Sequence, residues 1–217
     1  MPTDRMNISG DLRHVIRQRI ADGRITPGQH VNEVHLASEL DVSRTPLREA
    51  LSQLTAEGFL ECKPRRGFFT TELTVGEVEQ LYPLRAYLDP QALQMAGIPA
   101  AKRILELRKI NERIASAQGR PARAIDLDDQ WHRHLLADCP NEILLGFIDQ
   151  LIWRSRRYEY AYLMHTSNLE VATAEHESII NALEENDMPT ACALLGQNMS
   201  SAREPLLEWL RSRENTQ

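Results

Sequence analysis

Cysteine is scarce in this chain of 217 residues: there are three, Cys62, Cys139 and Cys192. An odd number of cysteines, far apart and in no metal-ligand spacing, excludes a disulfide framework and a thiolate metal cluster. They read as reduced thiols; a redox role for Cys62 would need a lowered thiol pKa, which residue spacing does not reveal. Long apolar runs are lacking as well. No stretch approaches the roughly 20 apolar residues that span a bilayer. Asp4, Arg5 and Asp11 interrupt the start, where a secretory signal would need an apolar segment. A cytoplasmic protein with no membrane partner is expected. There is no internal repeat and no low-complexity segment.

Positive charge is also short, with a formal net charge of −6, which argues at first against a nucleic-acid partner. The distribution answers this. Residues 1–70 hold 10 Lys and Arg against 9 Asp and Glu, whereas the remainder holds 15 against 22. The acidity lies in the second part, and any affinity of the first part for nucleic acid must come from the placement of a few arginines rather than from bulk charge. With 42% hydrophobic residues, the chain can bury a core and is long enough for one large domain or two small ones.

The most informative stretch runs from Val34 to Leu54. Leu36, Ala37 and Leu40 share one face of a short helix, and Leu47, Ala50, Leu51 and Leu54 repeat at helical spacing in a second. Two short helices joined by a tight turn are a helix-turn-helix signature. Ser43 or Thr45 can cap the second helix, and Pro46 fits a first turn whose amides have no intrahelical partner. Arg44 and Arg48 then project from an amino-terminal helix end, suited to phosphate and guanine. Downstream, Leu60 to Lys63 and Phe68 to Thr71 read as two strands around the basic turn Pro64-Arg65-Arg66-Gly67, a wing with Arg65 and Arg66 at its tip. Upstream, a helix over 9–22 is expected, capped by Ser9, striped by Leu12, Val15, Ile16 and Ile20, and ended by Gly23. Ile25-Thr26-Pro27-Gly28 reads as a turn.

From Leu36 to Gly67 the sequence closely resembles the GntR family of bacterial transcription regulators, above all in Leu-Ala-Ser-Glu-Leu-Asp-Val-Ser-Arg-Thr-Pro-Leu-Arg-Glu-Ala-Leu, Gly-Phe-Leu-Glu and Arg-Arg-Gly-Phe. The resemblance implies that Ser43, Arg44, Thr45 and Arg48 contact double-stranded operator DNA, and that Arg66 and Gly67 of the wing enter the minor groove.

After a short linker over 70–74, almost everything reads helical. Helices are expected over 75–96, 100–118, 121–138, 141–163, 168–186 and 188–212, with Pro83 and Pro90 as candidate kinks in the first. The expected architecture is therefore mostly α: a winged helix-turn-helix over 1–71 and an all-helical bundle of about six helices over 72–217. Asp128 and His132 lie four apart and share a helix face. His176 lies near Ile179, Ile180 and Leu183 on its helix, compatible with an inward position. The spacing alone does not separate a ligand from a hydrogen-bonded core histidine. Arg154, Arg156 and Arg157 alternate with Tyr158, Tyr160 and Tyr162 in a polar and aromatic run of which half is expected to face solvent. Trp131 reads as a cavity wall or core residue.

Asp128 with Trp131-His132, Asn141 after Pro140, and Glu175-His176 through Asp187 resemble the FCD effector domain of the FadR-like branch of the same family, over about residues 75–212. That resemblance implies a divalent metal, zinc or nickel, on Asp128, His132 and His176. The fourth ligand position, a histidine in many members, is Asn198 here. An amide oxygen is a harder and weaker donor than imidazole. Three outcomes stay open: Asn198 ligates weakly, water or effector fills its place, or the metal is lost and Asn198 bonds the effector directly. Arg85 matches the arginine that grips an effector carboxylate, a role suited to its planar fork, against the alternative of an ion pair with Asp89. The resemblance further implies a homodimer sensing a small organic acid. A metal-dependent helical enzyme carrying a DNA-binding head is the competing class, although no nucleophile–base pair or phosphate loop accompanies the helix-turn-helix.

Overall fold

The computed structural model describes residues 4–164 and 169–214, and the chain divides into two compact units, Met1–Leu73 and Thr74–Gln217. The first holds helices α1 (Asp4–Ala21), α2 (Glu33–Glu39) and α3 (Arg44–Ala56) and strands β1 (Leu60–Lys63) and β2 (Gly67–Thr70). Helix α1 starts at Asp4, so Ser9 lies within it and does not occupy the expected cap. Leu12, Ile16 and Ile20, four apart, form the buried stripe, while Val15 beside it is 39% exposed. Leu47, Ala50, Leu51 and Leu54 of α3 are fully buried. Leu36 and Ala37 of α2 join them, but Leu40 is only half-buried because the helix has already ended in the turn. That turn passes through Asp41 in the left-handed region at φ 52°, a conformation open to Asp because its short polar side chain tolerates it.

Strands β1 and β2 are antiparallel, with Leu60 opposite Thr70 and Cys62 opposite Phe68. Arg65 (φ 62°) and Gly67 (φ 84°) turn the hairpin. The segment expected to be only a turn continues as an extended partner of β2: Val31 N donates to Phe68 O at 2.8 Å and Thr70 N to Gln29 O at 3.0 Å. The Thr70 hydroxyl, buried, receives Gln29 N at 2.9 Å and donates to Thr26 O, locking this segment to the wing.

Among the described residues the second unit has seven helices: α4 (Val75–Ala96), α5 (Ala101–Ala115), α6 (Pro121–Leu135), α7 (Glu142–Leu163), α8 (Glu170–Glu184), α9 (Met188–Ser201) and α10 (Arg203–Glu214). The expected start of one helix at 168 lies outside the described residues. The single helix expected over 188–212 is two, broken at Ala202. Pro205 explains the break: it lacks the N–H that a continuous helix would give to Ser201 O, but is tolerated in a new first turn. Helix α4 runs through Pro83 and Pro90 without interruption. Pro90 leaves the Ala86 carbonyl without its helical donor, and Gly196 of α9 packs there, so closely that a Cβ would stand 3.2 Å from that oxygen. The core between α4, α5, α6, α8 and α9 includes Leu93, Leu107, Ile114, Leu127, Trp131, Ile180, Leu183 and Leu195.

Candidate functional site

In the first unit, α3 presents Ser43, Arg44, Thr45 and Arg48 to solvent. Ser43 holds the cap position but makes no side-chain capping bond, and Thr45 lies inside the helix. Both hydroxyls are therefore exposed without a capping duty. Arg48 Nε lies 3.4 Å from Glu33 Oε2 of α2. At the wing tip Arg65 and Arg66 are exposed and Gly67 half-buried. Lys63 Nζ and the Arg66 guanidinium sit 4.6 and 5.4 Å from the centre of the Phe69 ring, an aromatic base that restrains two cations at the hairpin.

In the second unit, α6 and α8 bring Asp128, His132 and His176 together, their ligand atoms all within 4.8 Å of one another. Asp128 Oδ2 is 3.6 Å from His132 Nε2, and Asp128 Oδ1 is 3.5 Å from His176 Nε2. These distances exceed good hydrogen bonds. Both imidazoles are buried, which favours their neutral forms: His176 is pushed down to about 3, and His132 falls well below its usual value through burial first and the Arg85 charge second. The Asp128 carboxyl is pushed up by burial, then by Glu159.

His176 is oriented from behind. Asn111 of α5 donates Nδ2 to Thr173 O at 2.9 Å, which leaves its Oδ1 to face His176 Nδ1 at 3.2 Å. An acceptor at that position assigns the proton to Nδ1 and leaves the Nε2 lone pair, which has no hydrogen-bond partner, turned toward Asp128. The Trp131 ring stacks on His176 at 3.8 Å and 9° and is fully buried, so it belongs to the core beneath the site.

Asn198 of α9 is oriented in the same manner. Its Nδ2 donates to Glu175 Oε2 at 2.7 Å, and its buried Oδ1 has no partner. Asn198, Asp128 and His132 line a cavity of about 150 Å³ together with Tyr82, Arg85, Glu159 and Ser201, faced by apolar residues such as Ile125, Leu163 and Leu206. Arg85 is buried and already bound through Nη2 to Asp89 Oδ2 at 2.8 Å, the ion pair weighed from sequence, yet it still lines the cavity and its Nε has no hydrogen-bond partner.

The arginine run of α7 departs from expectation: Arg156, Arg157 and Tyr158 are buried and Arg154, Tyr160 and Tyr162 are half-buried. The cause is carboxylate partners on neighbouring helices. Arg156 binds Asp129 at 2.9 Å and Asp126 at 2.6 Å, while Arg154 and Arg157 both bind Glu77. Sequence reasoning missed Asn111 and Glu159. Asn111 carried a signal, a polar residue within the apolar stripe Ile104, Leu107, Ile110, Ile114; Glu159 was hidden in a charged run.

The family model for bacterial regulatory proteins of the gntR family matches residues 9–70, and that for the FCD domain matches residues 80–201. The chain belongs to the GntR family. This GntR-type chain is 36% identical over 163 residues to the Nta operon transcriptional regulator of Aminobacter aminovorans, covering 70% of this chain and 78% of that relative. It is 25% identical to the transcriptional repressor RspR of Escherichia coli, covering 83% and 80%. In fold it is similar to E. coli McbR/YncC, with a TM-score of 0.82 at 21% identity over 93% of this chain and 98% of that one. It is also similar to a putative GntR regulator from Rhodococcus sp. RHA1, with a TM-score of 0.78 at 19% identity over 92% and 97%. The GntR/FCD chain is a DNA-binding transcription regulator, and its family and relatives are regulators rather than enzymes. Among the described residues no helix is long and apolar enough to cross a membrane.

Proposed function

We propose that the helical unit senses a small carboxylate metabolite at a divalent metal, and that binding changes how a homodimer holds its operator. The observation that carries this reading is the convergence of Asp128, His132 and His176, with a buried Nε2 lone pair on His176 that nothing in the protein satisfies. A carboxylate and two neutral imidazoles are a fitting donor set for zinc or nickel, and buried lone pairs without donors are costly. Asp128, His132 and His176 hold the ion, and Asn198, which lines the neighbouring cavity and has a buried oxygen without a partner, serves as a weak fourth ligand or as an acceptor for the effector. When bound, the metal supplies an electrophilic centre for an effector carboxylate. Arg85, held in place by Asp89, offers its remaining N–H groups to the same carboxylate.

Operator reading falls to the unit over 1–71: Ser43, Arg44, Thr45 and Arg48 in the major groove, and Arg65, Arg66 and Gly67 of the wing at the minor groove. Two copies, joined through the unit over 72–217, place two reading heads on a near-palindromic site. Large exposed apolar side chains on α4 and α7, among them Leu84, Tyr87, Ile143 and Phe147, suit such pairing. A coupling of about 1 to 3 kcal/mol between effector and operator would make a useful switch.

The test is elemental analysis of the purified, tag-free protein beside a His132→Ala variant. Metal near one per chain that vanishes in the variant supports the site. No metal in either, even after zinc or nickel is supplied, overturns it.

A further inference from the structure

The cavity wall contributed by α7 carries Glu159. Glu159 is half-buried, and desolvation pushes its carboxyl up, with the Ser155 and Tyr82 hydroxyls beside it and the charges of Arg85 and Arg156 acting in the other direction. Around the cavity, Asp89, Asp128, Asp129 and Glu159 are four buried or cavity-lining carboxyls, and Arg85 and Arg156 are the two buried guanidiniums among them. Both arginines already hold carboxylates: Arg85 binds Asp89, and Arg156 binds Asp129 and Asp126. A divalent ion on Asp128 adds positive charge beside these carboxyls, and Glu159 remains a further carboxyl on the cavity wall. A purely anionic effector would then bring further negative charge into a region of low dielectric.

Hydrogen-bonding capacity points the same way. Glu159 presents acceptors unless it is protonated. Asn198 is committed to presenting its oxygen, because Glu175 occupies its Nδ2 at 2.7 Å and leaves Oδ1 buried without a donor. Asn198 lines the cavity, and its buried oxygen, for which no donor is supplied, can take an N–H from a ligand once the side chain shifts. On the donor side stands Arg85, with its unpartnered Nε.

We propose that the effector is a zwitterion of the α-amino acid type, whose carboxylate is taken at the Arg85 and metal side of the cavity and whose ammonium group is received by Glu159 and the Asn198 oxygen. The inference rests on the reading of this cavity as the effector site and adds the charge of the ligand to it. Glu159 is its specificity-determining residue. The apolar lining residues Ile125, Leu163 and Leu206 suit an aliphatic side chain.

The experiment is calorimetric titration of the full chain, loaded with zinc, with matched pairs of probes: L-alanine against propanoate, L-valine against 3-methylbutanoate and L-leucine against 4-methylpentanoate, with malate as an added dicarboxylate. At least one amino acid is expected to bind roughly 10- to 100-fold more tightly than its deaminated twin, the range for a hydrogen bond to a charged group. Glu159→Gln is expected to collapse that ratio while leaving binding of the twin unchanged. Twins or malate binding as well as the amino acids, with Glu159→Gln leaving the ratio unaltered, would overturn the zwitterion and leave the carboxylate pocket standing. Binding by none of the probes to a protein that carries zinc overturns the proposal as stated, whereas a chain that takes up no zinc removes the reading beneath it. The comparison within each pair on the unmodified protein stands even where the variant fails to fold.

Discussion

Asn111 Oδ1 lies 3.2 Å from His176 Nδ1, and this contact, with Asn111 itself tied to Thr173 O, selects the histidine tautomer that turns a lone pair toward Asp128. A residue on α5 thus orients the proposed metal ligand on α8. Outer contacts of this kind are typically worth 10- to 100-fold in metal affinity. Replacing Asn111 by Leu should therefore weaken zinc binding by roughly that factor, read by competition with a chromogenic chelator, while Asn111→Asp, which keeps an acceptor, retains most of it. Equal zinc affinity in parent and Asn111→Leu would remove Asn111 from the site.

The second relationship to test is a network at the start of α4. Glu77 accepts from Arg154 at 2.6 Å, Arg157 at 2.8 Å and the Tyr158 hydroxyl at 2.6 Å, and that hydroxyl in turn accepts from Thr74 N at 3.2 Å. Tyr158 is fully buried. Tyr158→Phe strips a donor from a carboxylate and should cost about 1.5 to 3 kcal/mol, measured by urea unfolding. A loss under a few tenths would show that water replaces the hydroxyl.

Asp187 caps α9, accepting from Thr190 N at 3.1 Å and from the Thr190 hydroxyl. These bonds hold its carboxyl below the usual value. The sign follows from linkage: a carboxylate with a depressed native pKa contributes stability above its unfolded pKa, near 4, and loses it as pH falls through the native value. Asp187→Ala should melt below the parent at pH 7, and the two curves should converge in acid. A gap that stays constant down to about pH 2 would assign the effect to something other than the charged cap.

On the DNA-reading unit, Glu33 holds Arg48 Nε at 3.4 Å while Arg48 remains 59% exposed. Arg48→Ala is expected to cost on the order of 1 to 3 kcal/mol in operator binding if it forks onto guanine, with relaxed selectivity at one base pair. Glu33→Gln frees the same arginine and should strengthen binding to unrelated duplex DNA, most visibly at low salt. Unchanged affinity and selectivity in Arg48→Ala titrations would move the reading role to Arg44.

What the sequence by itself determined is the local order. The periodicity of Leu47, Ala50, Leu51 and Leu54, the basic turn at Arg65-Arg66-Gly67 and the run of helices after Thr74 each depend on residues within a few positions of one another, and they were legible for that reason. So was the shared face of Asp128 and His132, which helical geometry fixes. Tertiary structure decided the rest. It brought His176 of a later helix to Asp128, used Asn111 and Glu175 to turn two side chains so that their bare acceptors face inward, and placed Glu159 of a charged run in the cavity wall. It also buried arginines that composition alone would leave in solvent, because Glu77 and Asp129 wait on neighbouring helices. Orientation of a lone pair or satisfaction of a buried charge depends on a partner far away in the chain, and periodicity carries no information about that partner.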